Sequence, residues 1–330
     1  MNANTRVEGG IVVGFNEQKA RIVPSVGGKF SSLARLVLAG FSVPPAICLT
    51  TEAASIVFND AAYGPLIRSL IESQHRQSYG QSIEIGNEIR KRIRAVSVPS
   101  LIEDILRERL SDLIFPLIVR SSASQEDSST RSFAGVFDSV LGINSVEETF
   151  DAIKECWASL FSERALAYSR ENPSIFEDYK MAVICQTMLT PRVSGVAFTW
   201  DPLHGESMFT INASWGLPSL LVGGEIIPDL YELGDDGKII QRRVGSKRQL
   251  TEFKNGVLKT RPSTKSERER SCLSDWELAE IYQCGKKIES IFGSPQDIEW
   301  AIQDDRLHIL QSRAITRTAD VRTGVSEVLI

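Results

Sequence analysis

Residues 293–316 read GSPQDIEWAIQDDRLHILQSRAIT, in which two apolar runs are separated by the polar pair Asp304 and Asp305. Alternating apolar and polar residues on both sides of a short polar turn predict an antiparallel hairpin. Residues of like parity share a face of a hairpin, so we expect Glu299, Gln311 and Arg313 to project together. A carboxylate and an amide oxygen suit Mg²⁺, and an arginine suits a phosphate oxygen. A hairpin whose polar face is merely solvated is the alternative that the pattern alone leaves open.

The composition is that of a globular protein. With 330 residues, 42% of them hydrophobic, the chain is long enough for about two domains or subdomains. Apolar stretches stay below the roughly 18 residues of a membrane span, and the first ten residues are polar and lack the apolar core of a signal peptide. We therefore expect a cytoplasmic protein without a membrane partner.

Charge and cysteine content narrow the function further. A formal net charge of −5 argues against a general nucleic-acid binder, which normally carries a basic face. The basic residues 241–248 are the exception, and a solvated hairpin end is their expected structure. The five cysteines form no CxxC pair, so we expect buried free thiols and neither disulfides nor a zinc site.

Lys29 follows a glycine pair and precedes a helical pattern over residues 30–39 that stops at Gly40. A glycine turn lets the backbone approach a ligand, and a lysine beside it can reach an anion; a plain loop with a solvated lysine is the alternative. Residues 51–110 are largely helical by their apolar spacing and are predicted to be scaffold.

Arg120 ends an apolar strand that begins at residue 115, and a loop of small residues continues to Gly135. The N–H groups and hydroxyls of such a loop can close over phosphates, and an arginine at the end of a strand is well placed to pair with a phosphate. A disordered serine linker is the alternative. The remaining predictions are helices over residues 151–170 and 274–291, and strands over 137–143, 181–188, 195–200, 207–213 and 224–233 that form a mixed sheet.

These segments, in this order, resemble the N-terminal ATP-binding domain shared by phosphoenolpyruvate synthase, pyruvate phosphate dikinase and rifampin phosphotransferase. The resemblance covers residues 24–316 and rests on several long blocks: VGGKFSSLARLVLAGFSVPPAICLT, IVRSSASQEDSSTRSFAGVFDSVL, SLFSERALAYSR, MAVICQTML, SGVAFTWDP, NASWGL, PDLY and the hairpin above. It implies an α+β ATP-grasp fold whose two subdomains enclose a nucleotide cleft. The expected boundaries are 1–185 for the N-terminal subdomain, 186–316 for the C-terminal subdomain and 317–330 for a tail.

The resemblance also implies a set of site residues that bind ATP and Mg²⁺. Lys29 and Arg120 correspond to the residues that contact the phosphates, and Arg313 to the arginine beside the γ-phosphate; these three are the catalytic candidates. Glu299 and Gln311 correspond to the metal ligands. The other nucleotide-binding positions are the loop that closes on the phosphates and the strand that holds the adenine: Ser132, Phe133, Ala134, Gly135, Gln186 and Met188. The base itself is left open, with GTP as the alternative to ATP.

After Gly216 and Leu217 the sequence departs from the family's pattern, because Pro218 and Ser219 stand where the family often has glycine and glutamate. In the full-length enzymes this domain phosphorylates a histidine on a separate swivelling domain, and none of His75, His204 or His308 lies in such a motif. His308 is expected to be a packed or surface histidine.

Three hypotheses follow, in this order. The first is a kinase that transfers phosphate directly to a hydroxyl of a small molecule, such as a natural product or antibiotic. The second is the nucleotide-binding subunit of a split enzyme that phosphorylates a histidine on a swivel-domain partner, and the third is a nucleotide-binding regulator.

Overall fold

The computed structural model describes residues 10–58, 60–75, 78–123, 137, 139–169, 181–200 and 208–315. The chain forms two compact units, of which the first comprises the chain up to Leu38 together with Pro45–Met188, and the second comprises Ala39–Pro44 and the chain from Leu189 onward. Each unit combines helices with a sheet, so the predicted α+β class is confirmed. None of the described helices is both long enough and apolar enough to cross a membrane.

The first unit is built on a five-stranded sheet in the order β1-β2-β5-β3-β4. Its strands are β1 (Val12–Gly14), β2 (Ala46–Leu49), β3 (Leu117–Ser122), β4 (Ser139–Ile143) and β5 (Ala182–Thr187). Its helices are α1 (Val23–Leu38), α2 (Thr51–Val57), α3 (Asp60–His75), α4 (Tyr79–Ala95), α5 (Ser100–Leu110), α6 (Val146–Ser159) and α7 (Glu163–Ser169).

The two faces of this sheet pack against different helices. One core cluster contains Leu117, Val119 and Val183 together with apolar residues of α2 to α7. The other contains Ile184 from the opposite face, together with Val26 and Phe30 of α1. Because side chains alternate along a strand, residues of β3 and β5 with even numbers point toward α1.

The prediction of one helix over residues 151–170 is wrong, because α6 ends at Ser159 and α7 begins at Glu163. Leu160 and Phe161 are buried in the turn between the two helices, and the Ser162 hydroxyl accepts a hydrogen bond of 3.2 Å from the Ala165 N–H. A serine at this place caps a new helix. Apolar spacing continues through the turn, which is why the sequence pattern did not reveal it.

The second unit contains a six-stranded sheet in the order β13-β12-β6-β7-β8-β9 and a separate β10-β11 hairpin. The strands are β6 (Val193–Phe198), β7 (Phe209–Trp215), β8 (Asp229–Leu233), β9 (Ile239–Arg243), β10 (Gln249–Lys254), β11 (Val257–Pro262), β12 (Gln296–Gln303) and β13 (Arg306–Ala314). The helices are α8 (Ser219–Val222), α9 (Lys265–Glu269) and α10 (Asp275–Phe292). Every strand pair of this sheet is antiparallel, so the predicted mixed sheet is wrong.

Helix α10 covers one face of the six-stranded sheet. Its start is fixed by a capping box between Ser274 and Glu277, and it ends at Gly293 in a left-handed conformation. Beneath it, Phe209 packs edge-on against Tyr282, with ring centroids 5.1 Å apart, and Trp300 is fully buried. The opposite face of the sheet carries the residues of even number in β7 and of odd number in β12.

The prediction of a solvated hairpin end over residues 241–248 is correct for the exposed Arg242 and Arg243 but wrong for Lys247. Lys247 is fully buried and forms an ion pair with Asp229, which is also fully buried. Besides a hydrogen bond from the nearby Tyr231 hydroxyl (3.1 Å), the Asp229 carboxylate accepts hydrogen bonds from the N–H groups of Gly245 (2.8 Å) and Cys272 (2.7 Å). A buried charge requires such partners, and the partners come from distant parts of the sequence.

The five cysteines are free thiols, as predicted. Four are buried and Cys284 is partly buried. Burial raises the pKa of Cys284 to about 12 and that of Cys48 well above its ordinary value. These thiols are therefore protonated and behave as apolar core groups.

Candidate functional site

A glycine turn inside α1 carries Lys29 against the end of strand β3. Gly27 has φ 75° and ψ 169°, a conformation open only to glycine, so α1 is kinked there. A Cβ atom at Gly27 would lie 2.1 Å from the carbonyl oxygen of Ser122. The backbone therefore approaches β3 more closely than any side chain would allow.

Ser122 ties the two elements together with its hydroxyl. Its Oγ donates to the Val26 carbonyl over 2.7 Å and accepts from the Phe30 N–H over 3.3 Å. The Gly28 N–H donates to the Ala123 carbonyl over 3.2 Å. The Lys29 Nζ donates to the Ser121 carbonyl over 3.3 Å, so the lysine lies beside the strand that carries Arg120.

Arg120 and Gln186 share a face of the five-stranded sheet. Arg120 on β3 is opposite Ile184 on β5, and Gln186 is opposite Ile118, so the two polar side chains point to the side covered by α1. Both are buried. The first unit thus brings the predicted residues Lys29, Arg120 and Gln186 to one side of its sheet.

Met188 follows β5 and is buried, and its N–H donates to the Pro116 carbonyl over 2.8 Å. The predicted phosphate-closing loop, Ser132, Phe133, Ala134 and Gly135, lies outside the described residues, as does His204.

In the second unit, β12 and β13 form the predicted hairpin. The turn residues Asp304 and Asp305 have φ 51° and 55°, the left-handed pair of a tight turn that matches the twist of the strands. Glu299 lies directly opposite Gln311, and Asp297 lies directly opposite Arg313. Directly opposite residues of an antiparallel pair project to the same face, so the prediction that Glu299, Gln311 and Arg313 project together is confirmed.

A β-bulge beside Glu299 makes this arrangement possible. Trp300 is opposite Ile309 while Glu299 is opposite Gln311, so Leu310 is the extra residue. Ile309 and Gln311 have the same parity, and without the bulge they would share the apolar face with Trp300. Counting alternate residues from the turn therefore places Gln311 on the wrong face. His308 lies between the turn and the bulge; it is opposite Ala301, so it projects to the Glu299 face, and it is in hydrogen-bonding distance of the Ser42 hydroxyl (3.0 Å).

Arg313 is held by Asp297. The Arg313 Nε donates to the Asp297 Oδ2 over 2.6 Å, and the carboxylate is buried. Burial raises the pKa of the Asp297 carboxyl, and Arg313 counteracts this shift while Glu299 adds to it. The ion pair with Asp297 fixes the Arg313 guanidinium beside the Glu299 and Gln311 pair.

The donor set of this hairpin suits a magnesium ion with a phosphate ligand. Glu299 and Gln311 offer oxygen donors, which hard cations prefer, and Mg²⁺ commonly fills its other positions with water and phosphate oxygens. Throughout the described ranges, His, Cys, Asp and Glu form no group of three or more that could hold a metal ion. A cation at this pair would therefore depend on further ligands such as phosphate oxygens.

Comparison with known proteins agrees with this donor chemistry. Residues 23–327 match the family described as pyruvate phosphate dikinase, AMP/ATP-binding domain. The chain belongs to this family. The match spans all the candidate residues, from Lys29 to Arg313, and it confirms the resemblance stated from the sequence blocks.

Two relatives of the AMP/ATP-binding family illustrate its range. The chain is 33% identical over 328 residues to a probable phosphoenolpyruvate synthase of Methanothermobacter thermautotrophicus, covering 96% of this chain and 48% of the relative. It is 34% identical over 309 residues to a rifampicin phosphotransferase of Streptomyces sviceus, covering 92% of this chain and 35% of the relative. The chain thus spans between about a third and a half of the length of these relatives.

Among solved structures, D-alanine–D-alanine ligase from Bacillus anthracis aligns with 86% of this chain and 55% of its own, at 8% identity and a TM-score of 0.36. An alignment this distant carries no conclusion. The family membership supports the ATP-grasp class that the resemblance implied.

Proposed function

We propose that this chain is the nucleotide-binding part of a phosphotransferase, which uses ATP and Mg²⁺ to phosphorylate a hydroxyl group of a small molecule. The observation that carries the proposal is the opposed pair of Glu299 and Gln311, with Arg313 fixed beside it by Asp297, in a member of an AMP/ATP-binding family. A pure nucleotide-binding regulator would not need this complete set.

The residue roles are those that the family resemblance implies, and the chemistry of the side chains suits them. Lys29 and Arg120 would bind phosphate oxygens, since both are cations on one side of a rigid sheet. Glu299 and Gln311 would hold the magnesium ion, and Arg313 would bind the γ-phosphate. The Ser132, Phe133, Ala134 and Gly135 loop would close on the phosphates, and Gln186 and Met188 would contact the base.

Phosphoryl transfer depends mainly on positioning the phosphates and neutralising their charge. Magnesium, when bound, would neutralise part of the phosphate charge. Arg313 would neutralise another part, and its ion pair with Asp297 fixes the guanidinium before the nucleotide arrives, which lowers the cost of ordering it. The anchored α1 turn positions Lys29 in the same way.

A natural product or antibiotic is the proposed acceptor class. Support comes from the relatives named rifampicin phosphotransferase, including one from Bacillus subtilis that is 33% identical over 93% of this chain. The second candidate is transfer to a histidine of a swivel-domain partner, as the second hypothesis describes. The similarity to a probable phosphoenolpyruvate synthase favours this second candidate, because the match includes 96% of the residues of this chain.

The test is to incubate the purified chain with ATP or GTP and MgCl₂, adding either rifampicin and a panel of hydroxylated natural products or a purified swivel-domain protein. Mass spectrometry then follows ADP, AMP and the phosphorylated product. Phosphorylation of a small molecule by the chain alone supports direct transfer, and phosphorylation of a histidine on the added protein supports the second candidate. Failure to bind ATP or GTP would refute both.

Two matched pairs of variants test the residue roles. Glu299→Gln removes a carboxylate from the candidate metal pair, and Glu225→Gln removes one from an exposed loop. Lys29→Met and the exposed Lys91→Met form the second pair. We expect only Glu299→Gln to lose the magnesium dependence of nucleotide binding, and only Lys29→Met to weaken nucleotide binding with and without magnesium. Equal effects within a pair would contradict the assigned role.

A further inference from the structure

The sheet face that carries Glu299 and Gln311 extends across strand β6 to strand β7. In the strand register, Gln311 is opposite Glu299, Glu299 is opposite Val196, and Val196 is opposite Asn212. These four residues form one row across the sheet and project to the same face. The neighbours of Asn212 in sequence, Ile211 and Ala213, are fully buried on the other face.

Asn212 is the next polar side chain in this row after the Glu299 and Gln311 pair. It is half-buried, and its amide makes no hydrogen bond to any described residue. Val196, between Glu299 and Asn212, is buried and apolar, so it offers no competing donor or acceptor. An amide in such a position can accept or donate hydrogen bonds to a ligand without first breaking an internal contact.

A second polar group on the same face also lacks a partner. Thr210 lies one row away, opposite Phe198, and its Oγ1 is buried without a hydrogen bond within the described part of the chain. Buried polar groups are rarely left unpaired, because each costs about 1–3 kcal/mol. Together, Thr210 and Asn212 give this part of β7 two polar groups that are available to polar atoms of a ligand.

The spacing selects which ligand atoms reach Asn212. Asn212 and Glu299 are two strand separations apart, which is roughly 10 Å between their Cα atoms. This distance is too long for both side chains to coordinate one cation directly. A water molecule bound to the cation can instead link it to Asn212, since Mg²⁺ keeps several of its waters.

The register also separates Asn212 from the γ-phosphate candidate. Arg313 is opposite Asp297, and that row continues through Phe198 to Thr210. Asn212 belongs to the row of the metal pair, so a cation-bound water fits it better than the phosphate that Arg313 would bind.

We propose that Asn212 is a positioning residue for the metal, with its amide oxygen accepting a hydrogen bond from a water of the Mg²⁺ that Glu299 and Gln311 hold. This inference rests on the proposed function. It extends the cation site from the hairpin to strand β7 and assigns a role to a residue that the sequence patterns did not single out.

The test compares nucleotide binding with and without metal by isothermal titration calorimetry, using Mg·ATP in one series and ATP with EDTA in the other. The ratio of the two dissociation constants measures how strongly metal and nucleotide binding are coupled. Asn212→Leu keeps the size of the side chain and removes the acceptor. We expect it to reduce this ratio about three- to thirty-fold, as loss of one hydrogen bond to the shell of a cation would.

Two further variants complete the design. Asn212→Asp retains an acceptor oxygen, so its coupling ratio is expected to equal or exceed that of the unmodified chain; Asn87→Leu changes a surface asparagine of α4 and is expected to have no effect. Water-proton relaxation with Mn²⁺ in place of Mg²⁺ gives an independent readout of the cation's water shell. Asn212→Ala replaces Asn212→Leu if circular dichroism shows that the leucine variant does not fold.

The outcomes separate the two proposals. Unchanged coupling in Asn212→Leu, or equal weakening of Mg·ATP and metal-free ATP binding, overturns the role of Asn212 while the proposed function stands. Absence of metal-dependent ATP binding in the unmodified chain overturns both. A coupling ratio lowered in Asn212→Leu and kept in Asn212→Asp supports the assignment.

Discussion

Gly27→Ala is expected to destabilise the first unit and to displace Lys29. The substitution puts a Cβ at φ 75° and ψ 169°, where residues other than glycine are strained by about 1–3 kcal/mol. The new atom would also lie 2.1 Å from the Ser122 carbonyl oxygen and 2.3 Å from its Oγ, so α1 and β3 must separate. Forcing extra atoms into a packed contact adds about 1–3 kcal/mol.

The two effects add to about 2–6 kcal/mol, since the strain and the clash have separate causes. In a domain of this size each kcal/mol lowers the melting temperature by about 2–4 °C, so a decrease of roughly 4–24 °C is expected. Thermal unfolding followed by circular dichroism measures this change, and calorimetric titration with ATP measures the accompanying loss of affinity.

Gly40→Ala is the matched control. Gly40 also has a positive φ, of 84°, but a Cβ built there meets no atom within 4 Å. This variant therefore carries the backbone strain of about 1–2 kcal/mol without the clash, and it leaves the α1 turn intact. Equal melting temperatures for the two variants, or unchanged ATP affinity in Gly27→Ala, would refute the role of the close contact with Ser122.

Three further predictions concern buried ionisable groups. Asp229→Asn leaves Lys247 buried and unpaired, so the free energy of unfolding measured in urea is expected to fall by about 3–5 kcal/mol. Much of this loss should be regained in the double variant with Lys247→Met, and a loss below about 1 kcal/mol in Asp229→Asn would contradict the importance of this pair. The raised pKa of Asp297 means that the folded chain binds its proton more tightly than the unfolded chain, so this group's contribution to stability is full below the unfolded pKa, near 4, and is lost as pH rises through the folded pKa. Asp297→Asn lacks this contribution, so between about pH 4 and 6 its unfolding free energy should decrease less with pH than that of the unmodified chain. A steeper decrease in the variant would contradict the burial argument. At pH 8 a thiol reagent should leave the four buried cysteines unmodified and react slowly with Cys284, whose pKa is raised to about 12. All five cysteines should react in guanidinium, and rapid labelling of the folded chain would contradict their burial.

Much of the fold follows from local patterns. The periodicity around residues 274–291 predicts α10 within one residue at each end, because a capping serine and a terminal glycine mark its limits. The alternation around Asp304 and Asp305 predicts the hairpin for a similar reason. Helix α6 shows the limit of such patterns, because the apolar residues that continue its spacing, Leu160 and Phe161, turn into the core.

The candidate site also follows partly from the sequence and partly from the tertiary structure. Blocks of sequence identify Lys29, Arg120 and the hairpin residues, because the family match depends on the order of residues along the chain. Their placement on common faces depends on strand register, which the sequence specifies only in part. Gln311 reaches the face of Glu299 because Leu310 forms a bulge, a feature that the alternation of residues does not predict.

By itself, the sequence determined the α+β class, the family, the hairpin and the identity of the polar residues, since these depend on side-chain type and spacing along the chain. The tertiary structure decided which of those residues share a surface. It placed Asn212 in the row of Glu299, buried Lys247 against Asp229, and assigned Ala39–Pro44 to the second unit. Each of these outcomes joins residues far apart in the sequence, where the balance of desolvation, hydrogen bonding and packing depends on partners that no local pattern contains.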